Sequence, residues 1–208
     1  MRKLLHDKKK EKYTMKKRLM ILISGSGSNM QAVIDACQSG WLENAEVVAV
    51  VSSNAEALGI EKALAKGIPA FVYADKKGRD QKILALAKLF GVDFIVLAGY
   101  LGIVSPSLIN AYKNRIINIH PSLLPKHGGK GMYGMKVHES VIAGGDKVSG
   151  ATVHFVDIGI DEGDIIMQRT VEVDEGDCAV ELQKKVLWIE HGLLVDALEM
   201  ILSKDKVL

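Results

Sequence analysis

Asn118 and His120 stand two residues apart at the end of an apolar run, RIINIH (115–120). In an extended chain, side chains at i and i+2 share one face. An amide and an imidazole therefore look into the same space. The amide N–H₂ can donate to a developing oxyanion, and the imidazole can give or take a proton near neutral pH. Pro121 follows and ends the strand pattern, because it has no N–H to donate. The segment from Pro121 to Gly131 then reads as a loop. The pair wants a carboxylate, and DIGIDEGDI (157–165), a turn between two strand patterns, supplies Asp161, Glu162 and Asp164. A carboxylate near an imidazole favours its charged form, so His120 and Asp161 would make an acid–base pair. No Ser or Cys is placed as an evident nucleophile, so the attacking group would be external. Taken one at a time, these residues are better described as a turn cap, a surface histidine and a plain turn aspartate.

A second signal is SGSGSNMQ (24–31), between an apolar run and a helical pattern. Glycines allow a tight turn and close approach of backbone to a ligand, and a helix N-terminus presents free N–H groups to an anion. The third glycine of a dinucleotide fingerprint is missing, since position 30 is Met, and no Gly-Lys-Ser/Thr follows. One phosphate on the backbone of Gly27, Ser28 and Asn29 is the sharper reading. A tight turn with Asn29 as helix cap is the plainer one. Of the other histidines, His6 lies in the leader, and His127 and His138 flank the loop and are expected to be exposed. His154 alternates within a strand and is expected to support the site, and His191 lies on a helix surface. No spacing suggests a zinc site, so no metal is expected. Cys37 and Cys178 lie far apart, which fits a reduced, cytoplasmic setting.

These groups need a frame. Apolar strand runs at 19–24, 46–53, 69–73, 93–99 and 116–119 alternate with helical patterns at 30–40, 55–67, 79–91 and 105–113. Continuous apolar strands between helices predict an α/β fold, an open and mostly parallel Rossmann-like sheet with helices on both faces. After the loop come a short helix (135–145), two antiparallel strand patterns (150–159 and 165–173) and a long closing helix (177–202). In such sheets ligands bind beyond the carboxyl ends of the strands, which is where the glycine turn and the Asn118/His120 pair both fall. The loop 126–134 has four glycines and is expected to be mobile, closing over a ligand.

The chain has 208 residues, 48% of them hydrophobic, and a formal net charge of +2. Residues 1–18 hold nine Lys/Arg against two Asp/Glu, whereas the remaining 190 hold 18 basic and 23 acidic residues. The body is mildly acidic and gives no basic face for nucleic acid. Residues 1–17 read as a disordered basic leader, or as sequence ahead of a start at Met15, and 18–208 as one domain. No run approaches the length of a membrane span.

The set SGSGSN (24–29), NIHPSLLP (118–125) and HFVDIGIDEGDIIMQ (154–168) resembles the phosphoribosylglycinamide formyltransferase family, folate-dependent enzymes of purine synthesis. The resemblance covers the chain from Arg18 to the last helix. It implies transfer of a formyl group from 10-formyltetrahydrofolate to the amine of glycinamide ribonucleotide. Gly27, Ser28 and Asn29 would then bind the phosphate and Glu190 the ribonucleotide. Asn118 and His120 would grip the formyl oxygen, Asp161 would hold His120 charged, and His154 would support them. The segment Leu101, Gly102, Ile103 and Val104 would line the folate pocket with backbone contacts, with Arg79 nearby. Gly102 departs from the arginine of many members. The partners implied are small molecules only, for a monomer or homodimer. Competing readings are a 10-formyltetrahydrofolate deformylase, a methionyl-tRNA formyltransferase, and a non-enzymatic mononucleotide-binding module.

Overall fold

A computed structural model describes residues 15–204. Four β/α steps and a fifth strand come first: β1 (Lys17–Ile23), α1 (Ser28–Ser39), β2 (Ala45–Ser52), α2 (Gly59–Ala65), β3 (Ala70–Val72), α3 (Arg79–Leu89), β4 (Phe94–Leu97), α4 (Pro106–Ala111) and β5 (Ile116–His120). Then follow α5 (Met135–Gly144), β6 (Val148–Phe155), β7 (Ile165–Glu172) and α6 (Ala179–Lys204). The seven strands form one sheet in the order β3-β2-β1-β4-β5-β6-β7. Pairing is parallel from β3 to β5, and antiparallel from β5 to β7.

The strand runs lack polar alternation because both faces are covered. Along β1, Leu19, Ile21 and Ile23 face one core with α1 and α6, and Met20 and Leu22 face the other with α3 and α4. All five are fully buried. The chain steps outward from β1 to β2 and β3, then returns to the other side of β1 as β4. The crevice between the ends of β1 and β4 is the switch point where such sheets take ligands.

The structure corrects three expectations. The helix expected over 55–67 begins at Gly59, because Asn54 accepts from the Glu56 amide at 3.1 Å and turns the chain first. The strand expected over 150–159 runs over Val148–Phe155 and is buried on both faces rather than alternating. One face meets the α6 core, and the other meets the loop after β5. The expected leader loses its last residue, since β1 begins at Lys17, while residues 1–14 lie outside the described residues. Among the described residues, no helix is long and apolar enough to cross a membrane.

Candidate active site

The turn after β1 is built by two glycines from different elements. Gly27 has φ of 70°, and a Cβ there would lie 2.8 Å from the Cα of Gly59. That close approach lets the start of α2 pack on the turn. Gly59 N–H donates to the Gly25 carbonyl at 3.1 Å, and Lys62 Nζ donates to the Ser26 carbonyl at 2.9 Å. The turn's carbonyls are thus tied from outside. The first N–H groups of α1 have no intrahelical acceptor, and the first helical bond is Gln31 N–H to the Gly27 carbonyl. Gly27, not Asn29, caps α1. Asn29 instead donates from its side chain to Glu190 Oε2 on α6. Burial pushes the Glu190 carboxyl up to about 7 against the lowering effect of that bond. The turn after β1 and Glu190 on α6 are therefore direct neighbours, with Asn29 and Glu190 161 positions apart.

Asn118 and His120 end β5 as expected, and β6 reaches them through antiparallel pairing, with Asn118 opposite His154. Asn118 Nδ2 lies 3.0 Å from His154 Nε2, and His154 Nδ1 lies 2.8 Å from the Phe155 carbonyl. A carbonyl only accepts, so Nδ1 carries the His154 proton and Nε2 accepts from the amide. Burial lowers the His154 pKa, with the Phe155 bond and Asp161 opposing. Its 3.8 Å approach to Asp161 is therefore not an ion pair of a charged ring. A neutral His154 holds the Asn118 amide in one orientation, leaving its second N–H for a ligand.

His120 is buried, with Nε2 donating to the His127 carbonyl at 3.0 Å and Nδ1 3.5 Å from Asp161 Oδ2. The latter is longer than an ordinary N–H···O bond. Asp161, at φ of 61°, also accepts from the Gly129 amide at 3.0 Å. His120 and Asp161 are thus adjacent but not joined by an ordinary hydrogen bond.

One cavity of about 710 Å³ is lined by Gly27, Ser28, Asn29, Leu101 to Val104, Asn118, His120, His154, Asp161 and Glu190. Arg79 is the exception. It is buried, donates from Nη2 to the Ala74 carbonyl at 2.6 Å, and lines a neighbouring cavity of about 600 Å³ that shares the wall Leu101, Gly102 and Ile103. The Leu101 amide is also not free for a ligand, because it donates to Ser24 Oγ at 2.8 Å. Ser24 Oγ also shares a 2.6 Å hydrogen bond with Ser53 Oγ just after β2, so the turn after β1 is tied to the segments after both β2 and β4. A Cβ on Gly102 would lie 2.6 Å from the outer ring atoms of Tyr100, so a side chain there requires the Tyr100 ring to shift. Tyr100 fills the space a side chain at 102 would need.

Two histidines expected to be exposed are not. His138 is buried, lines the same cavity and is pushed down to about 4, mainly by burial and further by nearby His120. The missed signal is helical spacing, since Val137, His138 and Val141 share the inner face of α5. His127 is half-buried, its ring held between Ser140 and Asp146. The loop expected to be mobile is tied at its start by these contacts. Among the described residues, no cluster of three or more His, Cys, Asp or Glu is placed to hold a metal.

The family model described as formyl transferase matches residues 17–198. The chain is 40% identical over 192 residues to a phosphoribosylglycinamide formyltransferase, chloroplastic, of Arabidopsis thaliana, covering 89% of this chain and 65% of that one. It thus spans just under two thirds of that plant relative. It is 36% identical over 180 residues to the phosphoribosylglycinamide formyltransferase of Escherichia coli (strain K12), covering 84% and 82% of the two chains. The crystal structure of glycinamide ribonucleotide transformylase 1 from Symbiobacterium toebii superposes with a TM-score of 0.84 at 37% identity, covering 91% of this chain and 89% of that one. On the family match and these identities together, the chain belongs to the formyl transferase family.

Proposed function

We infer that this chain transfers the formyl group of 10-formyltetrahydrofolate to the amine of glycinamide ribonucleotide. The observation that carries the reading is the shared cavity, which is lined by both the anion-ready turn 27–29 and the Asn118, His120 and Asp161 set. A ribonucleotide phosphate fits the free amides of α1, with Glu190 and Asn29 beside its sugar. The folate follows Leu101 to Val104, and Arg79 serves its distal part across the shared wall. The amine nitrogen attacks the formyl carbon, and the carbonyl electron pair moves to oxygen. That oxyanion accepts from the Asn118 amide and from His120, which are worth about 3–4 kcal/mol for one well-placed donor. The attacking nitrogen then loses a proton, the carbonyl re-forms as the bond to the folate nitrogen breaks, and that nitrogen leaves with a proton carried by the His120–Asp161 pair. The reaction needs no protein nucleophile. The unpaired Cys37 and Cys178 accord with a reducing cytoplasm, and the proposed partners are the two small-molecule substrates, for a monomer or homodimer.

The test is the rate of 10-formyltetrahydrofolate consumption by purified protein, with and without glycinamide ribonucleotide. Consumption that requires the ribonucleotide is expected. Equal consumption without it would replace transfer by hydrolysis.

A further inference from the structure

Outside the substrate cavity, four side chains form a continuous cluster against the back of His120. The His127 ring has Nδ1 2.8 Å from Ser140 Oγ on α5 and Nε2 2.6 Å from Asp146 Oδ2 just after α5. The other carboxylate oxygen of Asp146 accepts from Lys126 Nζ at 2.8 Å. The bonds from Lys126 and then His127 hold the Asp146 carboxyl below its ordinary range. The backbone at His127 is left-handed, with φ of 54°. Few L-residues adopt that conformation unless their surroundings impose it. The segment before it is closed as well, since Ser122 Oγ donates to the Lys126 carbonyl at 2.7 Å. The outcome of these restraints is one atom in one place: the His127 carbonyl oxygen, 3.0 Å from His120 Nε2.

The same residue types, Ser, His and Asp, make nucleophilic triads elsewhere. That reading fails here. Ser140 lies inside α5, where the backbone N–H groups are spent on helical bonds and no oxyanion donors adjoin it.

We propose that the Lys126–Asp146–His127–Ser140 cluster is a positioning device that sets the tautomer of His120. A carbonyl has no proton to give, so Nε2 of His120 must carry one. Nδ1, which faces Asp161 across 3.5 Å, is then the ring nitrogen left to gain or lose a proton during the reaction. Without the clamp a neutral ring is free to put its proton on Nδ1 towards the carboxylate, leaving no acceptor on the Asp161 side. The clamp works through His127's backbone, so the residue's side chain need not reach the substrate.

The test uses His127→Gly, which deletes the ring while keeping a left-handed backbone accessible, together with Asp146→Ala and Ser140→Ala. The readout is the ¹⁵N spectrum of the His120 ring, recorded at a pH where the ring is neutral. The parent is expected to show the Nε2–H form, and the variants a mixture. For the rate, which alone rests on the formyl-transfer reading, kcat is expected to fall by at least ~10-fold, a part of the ~10²–10⁴-fold that a positioned acid–base group contributes. KM for both substrates should stay within about twofold. Ser140→Thr, which keeps the hydroxyl, should restore the parent spectrum. A parent protonated on Nδ1, or variants with an unchanged His120 spectrum, would overturn the proposal whatever the rates. A tautomer change in a protein without transferase activity would leave the clamp standing and remove only the proposed reaction. Should His127→Gly not fold, the two alanine variants carry the same comparison.

Discussion

Asn118 has two amide hydrogens, and His154 takes one of them. That single bond converts a freely rotating amide into an oriented donor, because a neutral imidazole can only accept at the nitrogen that lacks the proton. Catalysis by such a donor depends on its being in place before charge develops, so that no reorganisation is needed at the moment of reaction. Replacing Asn118 by Ala removes the donor and leaves His154 Nε2 bare. We expect kcat for ribonucleotide-dependent formyl transfer to fall by about 10²–10³, with KM for the ribonucleotide within about threefold, because the phosphate turn is untouched. Steady-state kinetics with both substrates varied would check this. A comparable rise in KM with kcat preserved would mean that Asn118 binds the ground state instead.

At the scale of elements, the turn after β1, the proposed phosphate site, depends on two backbones meeting where no side chain fits. Gly27 and Gly59 pack so closely that a Cβ on Gly27 would come within 2.8 Å of the Gly59 Cα. No rotamer change relieves a clash with backbone, so α2 or the turn must move. Gly40 offers a control. Its φ of 84° also favours glycine, yet a Cβ there would meet nothing within 4 Å. Gly40→Ala should therefore show only the left-handed cost, ~1 kcal/mol. Gly27→Ala should show that cost plus the collision, ~2–3 kcal/mol in all, and raise KM for the ribonucleotide at least ~10-fold as the amides lose their aim. Denaturant melts of both variants separate strain from contact. Equal destabilisation would show that the turn yields without moving α2.

At the scale of the whole molecule, the site exists because the sheet reverses its order at β1 and β4, and because the last two strands run back against β5. The first feature opens the crevice. The second carries His154 and the Asp161 turn to the end of β5. The closing helix α6 then seals one side and delivers Glu190 into the cavity, where it is nearly out of reach of water. That burial links the fold to pH. The Glu190 carboxyl is raised from 4.5 to about 7 in the folded protein. A raised folded pKa means the native state holds the proton over a range where the unfolded chain has lost it. Its stabilising contribution is complete below about 4.5 and is lost as pH rises through about 7. The loss should be about 3 kcal/mol at most for a shift of this size. Urea unfolding of the ligand-free protein from pH 4.5 to 8 should show this decline, and Glu190→Gln should remove it. A parallel decline in the variant would assign the slope to other groups.

Residue types and their order determined more of this protein than local pattern alone suggests. Apolar strand runs fixed the parallel α/β half, since a strand covered on both faces has no place for polar alternation. The i, i+2 spacing of Asn118 and His120 put both on one side of a strand end, and the glycines at 25 and 27 marked the anion turn. The resemblance added Glu190, which no local pattern near it indicates. The sequence did not show that β6 is buried on both faces, that Arg79 lines a cavity of its own, or that Tyr100 occupies the space over Gly102. It also misplaced His127 and His138, whose polar character outweighed their helical and loop positions. Most of these are decided by atoms distant in the chain, α6 over β6 or Asp146 and Ser140 around one imidazole, whereas the Tyr100 ring over Gly102 is a local contact whose geometry the residue types do not announce. Local sequence sets which conformations are cheap. Burial, and with it the protonation of His138, His154 and Glu190, is set only when separate elements close over the same space.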